Sequence, residues 1–281
     1  MAYGKVRGIA KPLGDIPARI YPIQTNSSET RAGILTMPFD FAAGDEVATD
    51  LVQKLYKDFK EEVEDGRTYP QEDIPDLEAY KSYFLSHDLV IGFFLTHPQL
   101  QNLHPSSKPI PSTGIRLTTT QLSTIKIGNS NLHNLTYPST PNTNLPNPSD
   151  TYAFAYYIKP NYPGRSSHLC NGGFIVPPAS RGLGLGRIAA RSFLFYAPAY
   201  GYKGSVFNLV YANNEASVRL WEKLGFQNVG RIPEAGRLRK KGGAEGEEEY
   251  VDAWVVHGDF QKIGFRDKEG EGVEEGAGVA C

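Results

Sequence analysis

An apolar residue recurs every four positions between residues 45 and 65, and lysine, aspartate and glutamate fill many of the positions between. This spacing places the apolar side chains on one face, so it predicts a long amphipathic helix that ends at Gly66. A second, shorter helix is predicted over 76–86. The repeating apolar positions of the long helix are Val47, Leu51, Leu55, Phe59 and Val63.

Short runs rich in β-branched and aromatic residues predict strands in much of the remaining chain. Two further helices are predicted at about 185–197 and 214–224, the second with an asparagine start signal and a glycine stop signal. Strands and helices in this order indicate an α/β fold with a mixed, twisted central sheet flanked by helices. The predicted strands are 32–37, 89–95, 151–158, 173–176, 205–211 and 250–256.

Composition varies sharply along the chain. More than half of the residues in 97–150 are Ser, Thr, Asn or Pro, which predicts a flexible surface insertion that adds little to a core. A charged, glycine-rich connection fills 239–249, and a Glu/Gly-rich tail that we expect to be disordered fills 266–281. We therefore expect an N-terminal lead over 1–43 with one possible edge strand, and a single domain over 44–265.

Charge and cysteine content exclude several classes of function. The 281 residues carry 29 Lys and Arg against 31 Asp and Glu, a net charge of −2, so no overall basic field favours nucleic acid. Two cysteines cannot build a disulfide framework or a cysteine-based zinc site, and we expect no metal. No apolar run approaches the roughly 18 residues of a membrane span. We expect a cytoplasmic protein; Lys5, Arg7 and Lys11 near the start leave a mitochondrial location as the alternative.

A glycine-rich turn follows the strand predicted at 173–176 and opens the next helix. It reads Arg181-Gly-Leu-Gly-Leu-Gly186 and is followed by Arg187. Glycine lets backbone N–H groups approach a phosphate, and the helix N-terminus and two arginines add positive charge. The turn is therefore suited to a pyrophosphate. A purely structural turn and a dinucleotide-binding loop are the alternatives, although the glycine spacing differs from the dinucleotide fingerprint.

A second motif follows the next predicted strand and reads Asn213-Asn-Glu-Ala-Ser-Val-Arg-Leu-Trp-Glu-Lys-Leu-Gly-Phe226. Together with the glycine turn, it resembles the acetyl-CoA-dependent N-acetyltransferases of the GNAT superfamily. The resemblance implies the GNAT fold, acetyl-CoA as co-substrate and direct acetyl transfer to an amine. It assigns contacts with acetyl-CoA to Phe174, Val176, Arg181, Gly182, Leu183, Gly184, Leu185, Gly186, Arg187, Asn214 and Trp221.

Five further segments carry a narrower resemblance: Gly66-Arg-Thr-Tyr-Pro-Gln71, Tyr157-Ile-Lys-Pro-Asn-Tyr162, Ser167-His-Leu-Cys-Asn-Gly-Gly-Phe174, Ala197-Pro-Ala-Tyr-Gly-Tyr-Lys203 and Phe207-Asn-Leu-Val210. They are similar to the fungal L-azetidine-2-carboxylate N-acetyltransferases, which acetylate the ring nitrogen of proline analogues. The resemblance covers 45–95 and 151–257. It implies a small imino or amino acid as acceptor, and a homodimer.

This narrower resemblance assigns the acceptor site to amide side chains. By position, Asn171 and Asn208 would hold the acceptor, Asn214 would lie near the reacting thioester, and Phe174 would wall the ring pocket. Asn208 and Asn214 are thus the expected catalytic residues. An amide can accept a hydrogen bond from an amine and donate one to a carboxylate or oxyanion, which suits an amino acid. Each asparagine also has a structural alternative, and for Asn214 it is a helix cap.

The acid and base that GNAT enzymes commonly use are absent from their usual positions. The strand over 170–176 holds no carboxylate, and Trp221 stands where a tyrosine commonly protonates the leaving thiolate. A GNAT enzyme acting on a protein or polyamine amine therefore remains an alternative, as does a non-catalytic acyl-CoA-binding sensor. We do not expect His168 and Cys170 to form a nucleophile pair, because direct transfer needs no covalent intermediate.

Overall fold

The computed structural model describes residues 16–23, 31–40, 47, 49–104, 109–118, 120–121, 126–127, 130–131, 151–244 and 246–264. The predicted tail over 266–281 lies outside these residues. The α-helices are α1 (Thr49–Asp65), α2 (Leu77–Phe84), α3 (His97–Leu103), α4 (Leu185–Ala199), α5 (Glu215–Lys223) and α6 (Phe260–Ile263). The strands are β1 (Arg19–Pro22), β2 (Arg31–Asp40), β3 (Asp88–Thr96), β4 (Ile115–Arg116), β5 (Lys126–Ile127), β6 (Ser130–Asn131), β7 (Tyr152–Pro160), β8 (Leu169–Ile175), β9 (Gly204–Tyr211), β10 (Gln227–Arg239) and β11 (Glu248–Asp259).

Nine of these strands form one sheet in the order β10-β11-β9-β8-β7-β3-β2-β1-β4, and β5 and β6 pair separately. Within the large sheet the pairs are antiparallel except for β8 and β9, which run parallel. The predicted α/β architecture, a mixed sheet flanked by helices, is therefore confirmed.

Alternation along β7 divides the core between the two faces of the sheet. Ala155 and Tyr157 belong to the cluster that contains the apolar faces of α1 and α2, whereas Phe154, Tyr156 and Ile158 belong to the cluster around α4. The apolar stripe predicted for the first helix is buried in the former cluster through Leu51, Leu55, Phe59 and Val63, with Val47 packed against it.

The strand predicted over 32–37 forms as part of β2, but it is not an edge strand. β2 pairs with β3 on one side and with β1 on the other, and β1 pairs in turn with β4. The expected edge position was wrong because β1 was not predicted. β1 has only four residues, one of them a proline, and this is too short a segment for hydrophobic periodicity to indicate a strand.

The first part of the Ser/Thr/Asn/Pro-rich segment is packed against the sheet, unlike the loose insertion that composition predicts. Thr96 and Gln99 form a capping box that starts α3. Leu103 and Leu117 are buried in the cluster that contains α1. Isolated leucines among polar residues give no helix or strand period, so their burial depends on the sheet that they reach. Residues 132–150 lie outside the described residues.

β8 and β9 create the opening in which the site lies. Their parallel ladder contains only two residue pairs, Leu169 with Gly204 and Cys170 with Ser205. β8 continues to Ile175 and β9 to Tyr211 without further pairing to each other. The sheet is therefore open between the second halves of these strands.

Gly204 lies in this short ladder at a point where a side chain does not fit. A Cβ at Gly204 would lie 2.7 Å from the carbonyl oxygen of Gly258 on β11. That contact is with backbone, so a strand would have to move. We expect Gly204→Ala to lower the free energy of unfolding by about 1–3 kcal/mol, measured by urea titration followed by circular dichroism.

Gly230→Ala is the matched control within the same sheet. A Cβ at Gly230 would lie 3.8 Å from the Cβ of Val255, an ordinary contact. Its free energy of unfolding should stay within about 0.5 kcal/mol of wild type. Equal stability of Gly204→Ala and Gly230→Ala would contradict the proposed close approach of β9 and β11.

Candidate active site

A cleft of about 1400 Å³ opens where β8 and β9 part. Its walls come from these two strands, the turn before α4, the start and face of α5, and the connection between α1 and α2. Leu183 is not among the lining residues, because its side chain packs with the cluster around α4. All other site residues predicted from the sequence line the cleft: Asn171, Phe174, Val176, Arg181, Gly182, Gly184, Leu185, Gly186, Arg187, Asn208, Asn214 and Trp221.

The glycine turn before α4 keeps its backbone accessible. Gly182 and Gly184 have φ angles of 82° and 73°, in the left-handed region that favours glycine. A Cβ at Gly182, Gly184 or Gly186 would meet no atom within 4 Å, so the space beside the turn is open. α4 begins at Gly184 without a side-chain cap, which leaves its first N–H groups suited to an anion.

The cleft is basic although the chain carries a net charge of −2. Three carboxylate side chains line it, those of Glu62, Asp65 and Glu249. They face a larger number of cationic side chains, so the cleft favours anionic ligands. The cationic residues are Arg67, Arg181, Arg187, Arg191, Arg219, Lys223, Arg239 and Lys241.

Arg181 shares its charge with a carboxylate that the sequence analysis did not single out. Its guanidinium forms an ion pair with Glu62 of α1, and its Nε donates to the carbonyl oxygen of Val176 at 3.2 Å. Glu62 is buried and also accepts a hydrogen bond from the hydroxyl of Thr68 at 2.8 Å. The ion pair therefore ties α1 to the glycine turn.

Arg191 is a second cleft residue that the sequence analysis missed. It follows Arg187 by one turn of α4, and both residues line the cleft. Burial, and then the positive charge of Arg187, lower the pKa of Arg191. An anion bound beside both guanidinium groups would reduce their repulsion. The four-residue spacing on a predicted helix was the signal that could have identified it.

Asn208 lies at an irregularity in β9. The register between β9 and β11 shifts between Phe207 and Val210, which is typical of a β-bulge. Nδ2 of Asn208 donates to Oδ1 of Asn161 at 2.7 Å, and Nδ2 of Asn161 donates back to Oδ1 of Asn208 at 3.0 Å. The hydroxyl of Tyr162 donates to the same oxygen at 3.3 Å. These bonds fix the amide of Asn208, and its second N–H is still a donor.

The other two predicted asparagines also line the cleft. Oδ1 of Asn214 accepts a hydrogen bond from the backbone N–H of Ser217 at 3.2 Å, so Asn214 caps α5. Asn171 lies on β8 directly opposite Lys159 on β7. The cap is the structural alternative foreseen for Asn214, and it leaves the amide nitrogen of this residue available to a ligand.

Aromatic rings form the wall of the cleft that faces α4 and α5. The ring of Phe174 lies 5.3 Å from that of Trp221, which lies 4.5 Å from that of Phe207. Trp221 is 5% exposed and carries no hydroxyl. The tyrosines that line the cleft are Tyr69, Tyr83, Tyr157 and Tyr211.

The opposite side of the cleft, formed by α1, α2, their connection and β7, is here called the α1–α2 side. The hydroxyl of Tyr69 donates to the carbonyl oxygen of Phe174 at 3.2 Å, which holds β8 against the connection. The hydroxyls of Tyr83 and Tyr157 lie 3.2 Å apart. The signal for these residues was weak, because an aromatic residue in a predicted helix or strand is more often part of a core.

The geometry gives no support to a nucleophile pair of His168 and Cys170. Cys170 is buried, and this burial raises the pKa of its thiol. His168 lies at the surface, where Nδ1 is 3.1 Å from the carbonyl oxygen of Arg165. Within the described residues, no group of three or more His, Cys, Asp or Glu could hold a metal ion. None of the helices described is long and apolar enough to cross a membrane.

The fold and the cleft agree with one class of protein. Residues 148–226 match the model of the acetyltransferase (GNAT) family. The solved structure of a GCN5-related N-acetyltransferase from Kribbella flavida superposes with a TM-score of 0.52 at 19% identity, covering 80% of this chain and 97% of that protein. At this identity the likeness concerns the fold. The chain therefore has the fold of the GNAT acetyltransferases, as the sequence predicted.

Two curated relatives match parts of the chain. N-acetyltransferase aca1 of Schizosaccharomyces pombe is 52% identical over 109 residues, which are 39% of this chain and 49% of that protein. Protein SPT10 of Saccharomyces cerevisiae is 28% identical over 254 residues, which are 88% of this chain and 37% of that protein. The chain thus spans half or less of the length of these relatives.

The ion pair of Glu62 and Arg181 should respond unequally to the loss of its two partners. The Arg181 side chain is 50% exposed, whereas that of Glu62 is 11% exposed. Arg181→Met leaves a buried carboxylate without its counter-charge, and we expect it to lower the free energy of unfolding by about 1–3 kcal/mol. Glu62→Gln leaves a hydrated guanidinium and a neutral amide, so it should lower the free energy of unfolding by less than Arg181→Met does. Urea titration of both variants measures the difference, and a larger loss in Glu62→Gln would contradict this account.

Proposed function

We propose that this protein is an acetyl-CoA-dependent N-acetyltransferase whose acceptor is a small, proline-like imino or amino acid. The observation that carries the proposal is the basic cleft at the opening between β8 and β9, which is lined both by the glycine turn and by the amides of Asn171 and Asn208. The resemblance of the sequence to the proline-analogue enzymes supplies the identity of the acceptor. The homodimer that the same resemblance implies stays a prediction.

The glycine turn fits the pyrophosphate of coenzyme A. Backbone N–H groups between Gly182 and Arg187 would bind the pyrophosphate. The space that a side chain at Gly182, Gly184 or Gly186 would occupy is open, so the phosphates can approach the backbone. Arg187 and Arg191 would add charge along α4. Phe174, Val176 and Trp221 would contact the acyl-bearing arm, and Asn214 would lie beside it. When bound, acetyl-CoA supplies an acetyl thioester to this cleft.

The open half of β8 provides the donors for the thioester carbonyl. Its residues beyond Cys170 have no pairing partner on β9, so their backbone groups are suited to stabilise an oxyanion. Tyr69 holds this strand in place through the carbonyl of Phe174. Transition-state stabilisation in this proposal therefore comes from backbone donors and from positioning of the amine.

The amides of Asn171 and Asn208 would orient the acceptor. Asn208 is held by Asn161 and Tyr162, so it can present a fixed donor without a change of rotamer. The excess of cationic side chains in the cleft opposes a polyamine or a lysine-rich peptide, since such acceptors would meet like charge. A small amino acid carries a carboxylate and is compatible with the same field.

Release of the coenzyme A thiol in the presence of different amines tests this proposal. The amines are L-azetidine-2-carboxylate, cis-4-hydroxy-L-proline, L-proline, spermidine and a lysine-rich peptide, each with acetyl-CoA. We expect turnover of the ring amino acids alone. Turnover of spermidine or the peptide would refute the acceptor class. Binding of coenzyme A by calorimetry, with no turnover of any amine, would instead favour a non-catalytic acyl-CoA sensor.

Asn208→Ala should weaken use of the acceptor while binding of coenzyme A stays close to wild type. The loss of an oriented amide should raise the KM for L-azetidine-2-carboxylate by about tenfold. Asn161→Ala releases the Asn208 side chain and should produce a smaller change in the same direction. Steady-state kinetics and calorimetry with coenzyme A measure the two effects. Wild-type kinetics of Asn208→Ala with every accepted amine would refute the role of this amide.

A further inference from the structure

Lys159 is a partly buried cation on the α1–α2 side that the proposed mechanism does not use. Its Nζ lies 4.1 Å from the ring centroids of both Tyr83 and Tyr157. It also donates a hydrogen bond to the carbonyl oxygen of Tyr83 at 3.2 Å, close to the C-terminal end of α2. Two aromatic faces and a helix C-terminus each favour the charged ammonium.

No carboxylate within the described part of the chain forms an ion pair with Lys159. Burial lowers its pKa to about 8, with no contribution from a neighbouring charge. The titratable groups in contact with its ammonium are the phenols of Tyr83 and Tyr157, and burial raises the pKa of Tyr157. The phenol of Tyr157 is neutral at physiological pH. A cation that is desolvated and has no counter-charge gains from an anion brought by a ligand.

Lys159 is not itself among the residues that line the cleft, but its place in the sheet puts it next to residues that are. Tyr83 and Tyr157, which support the ammonium, both line the cleft, as does Asn171. Asn171 is the direct cross-strand neighbour of Lys159, and opposite residues of an antiparallel pair share one face of the sheet. Lys159 and Asn171 together therefore offer a cation and an amide on one surface.

We propose that Lys159 binds the ionised carboxylate of the acceptor and that the cleft thereby selects amines that carry one. This inference rests on the proposed function and adds to it the group that distinguishes an amino acid from a simple amine. Asn171 donates a second hydrogen bond to the same carboxylate, while the rings of Tyr83 and Tyr157 contact the ammonium. Lys159 is a binding residue and takes no part in proton transfer.

Variants of Lys159 test this by comparing an acid with its amide. Lys159→Met keeps the aliphatic contacts with the two tyrosines but removes the charge. We expect the KM for L-azetidine-2-carboxylate to rise about 10- to 100-fold, since a charge-assisted hydrogen bond is lost, while the KM for its carboxamide changes little. Lys159→Arg should keep most of the preference for the acid. Lys81→Met, on the exposed face of α2, is the matched control.

Binding of a carboxylate that has no amine tests the charge of Lys159 alone, because the ligand then has no nitrogen that gains or loses a proton. Tetrahydrofuran-2-carboxylate has a ring oxygen in place of the nitrogen, and its binding can be measured by calorimetry in the presence of coenzyme A. The carboxylate stays ionised near neutral pH, so affinity for wild type should fall as the pH rises above about 8, where free Lys159 loses its proton. The affinity of Lys159→Arg should be independent of pH over the same range.

The outcomes separate this inference from the proposed function. An equal rise in KM for the acid and the amide in Lys159→Met would overturn the inference while the enzyme remains an acetyltransferase. Absence of turnover by wild type with every amine would overturn the proposed function, and Lys159-dependent binding of tetrahydrofuran-2-carboxylate would then still support the anion site. If wild type does not bind tetrahydrofuran-2-carboxylate, the inference about Lys159 is overturned.

Discussion

A parallel ladder of only two residue pairs between β8 and β9 is the constraint on which the rest of the site depends. Pairing along the full length of these strands would satisfy the backbone of β8 and leave no room for a ligand. Two features lie along the open part of these strands. A Cβ at Gly173 of β8 would collide with the ring of Tyr157 on β7, and a register shift near Asn208 interrupts the pairing of β9 with β11. In the proposed function, groups that the sheet leaves unpaired would become the donors that a thioester requires.

Positive charge exceeds negative charge among the residues that line this opening, although the chain as a whole is slightly acidic. Two of the carboxylates in the cleft are already engaged, since Glu62 pairs with Arg181 and Asp65 pairs with Arg67. In the proposed function, the remaining positive field would serve two anionic ligands at once, the phosphates of coenzyme A and the carboxylate of an amino acid. The same field would then both retain the co-substrate and narrow the choice of acceptor.

The sequence predicted those parts of the fold that local pattern determines. The helix periodicity and the apolar strands identified most elements. The resemblance to a known family implied the site residues, and all of them except Leu183 line the cleft. Lys159 and Glu62 escaped because a single lysine or glutamate in a periodic segment has no distinguishing neighbour along the chain. Their positions depend on the packing of α1 and α2 against the face of the sheet that carries Tyr157. This is a long-range arrangement that periodicity does not encode. β1 and the buried Leu117 were missed for the same reason.

The small amino acid proposed as acceptor would enter with opposite charges at its two ends and react with only one of them. Its nitrogen has to lose a proton before it can attack, and a basic cleft lowers the cost of that loss because it disfavours an ammonium group. The carboxylate has to keep its charge, and Lys159, which lies over two tyrosine rings on the α1–α2 side, would stabilise that charge from β7. Asn208 on β9 is held rigidly by Asn161, so the nitrogen can be oriented from the other side of β8. If Lys159 on β7 binds the carboxylate and Asn208 on β9 orients the nitrogen, as proposed, one electrostatic field would favour both the neutral amine and the ionised acid, which a single carboxylate base near the nitrogen would not achieve.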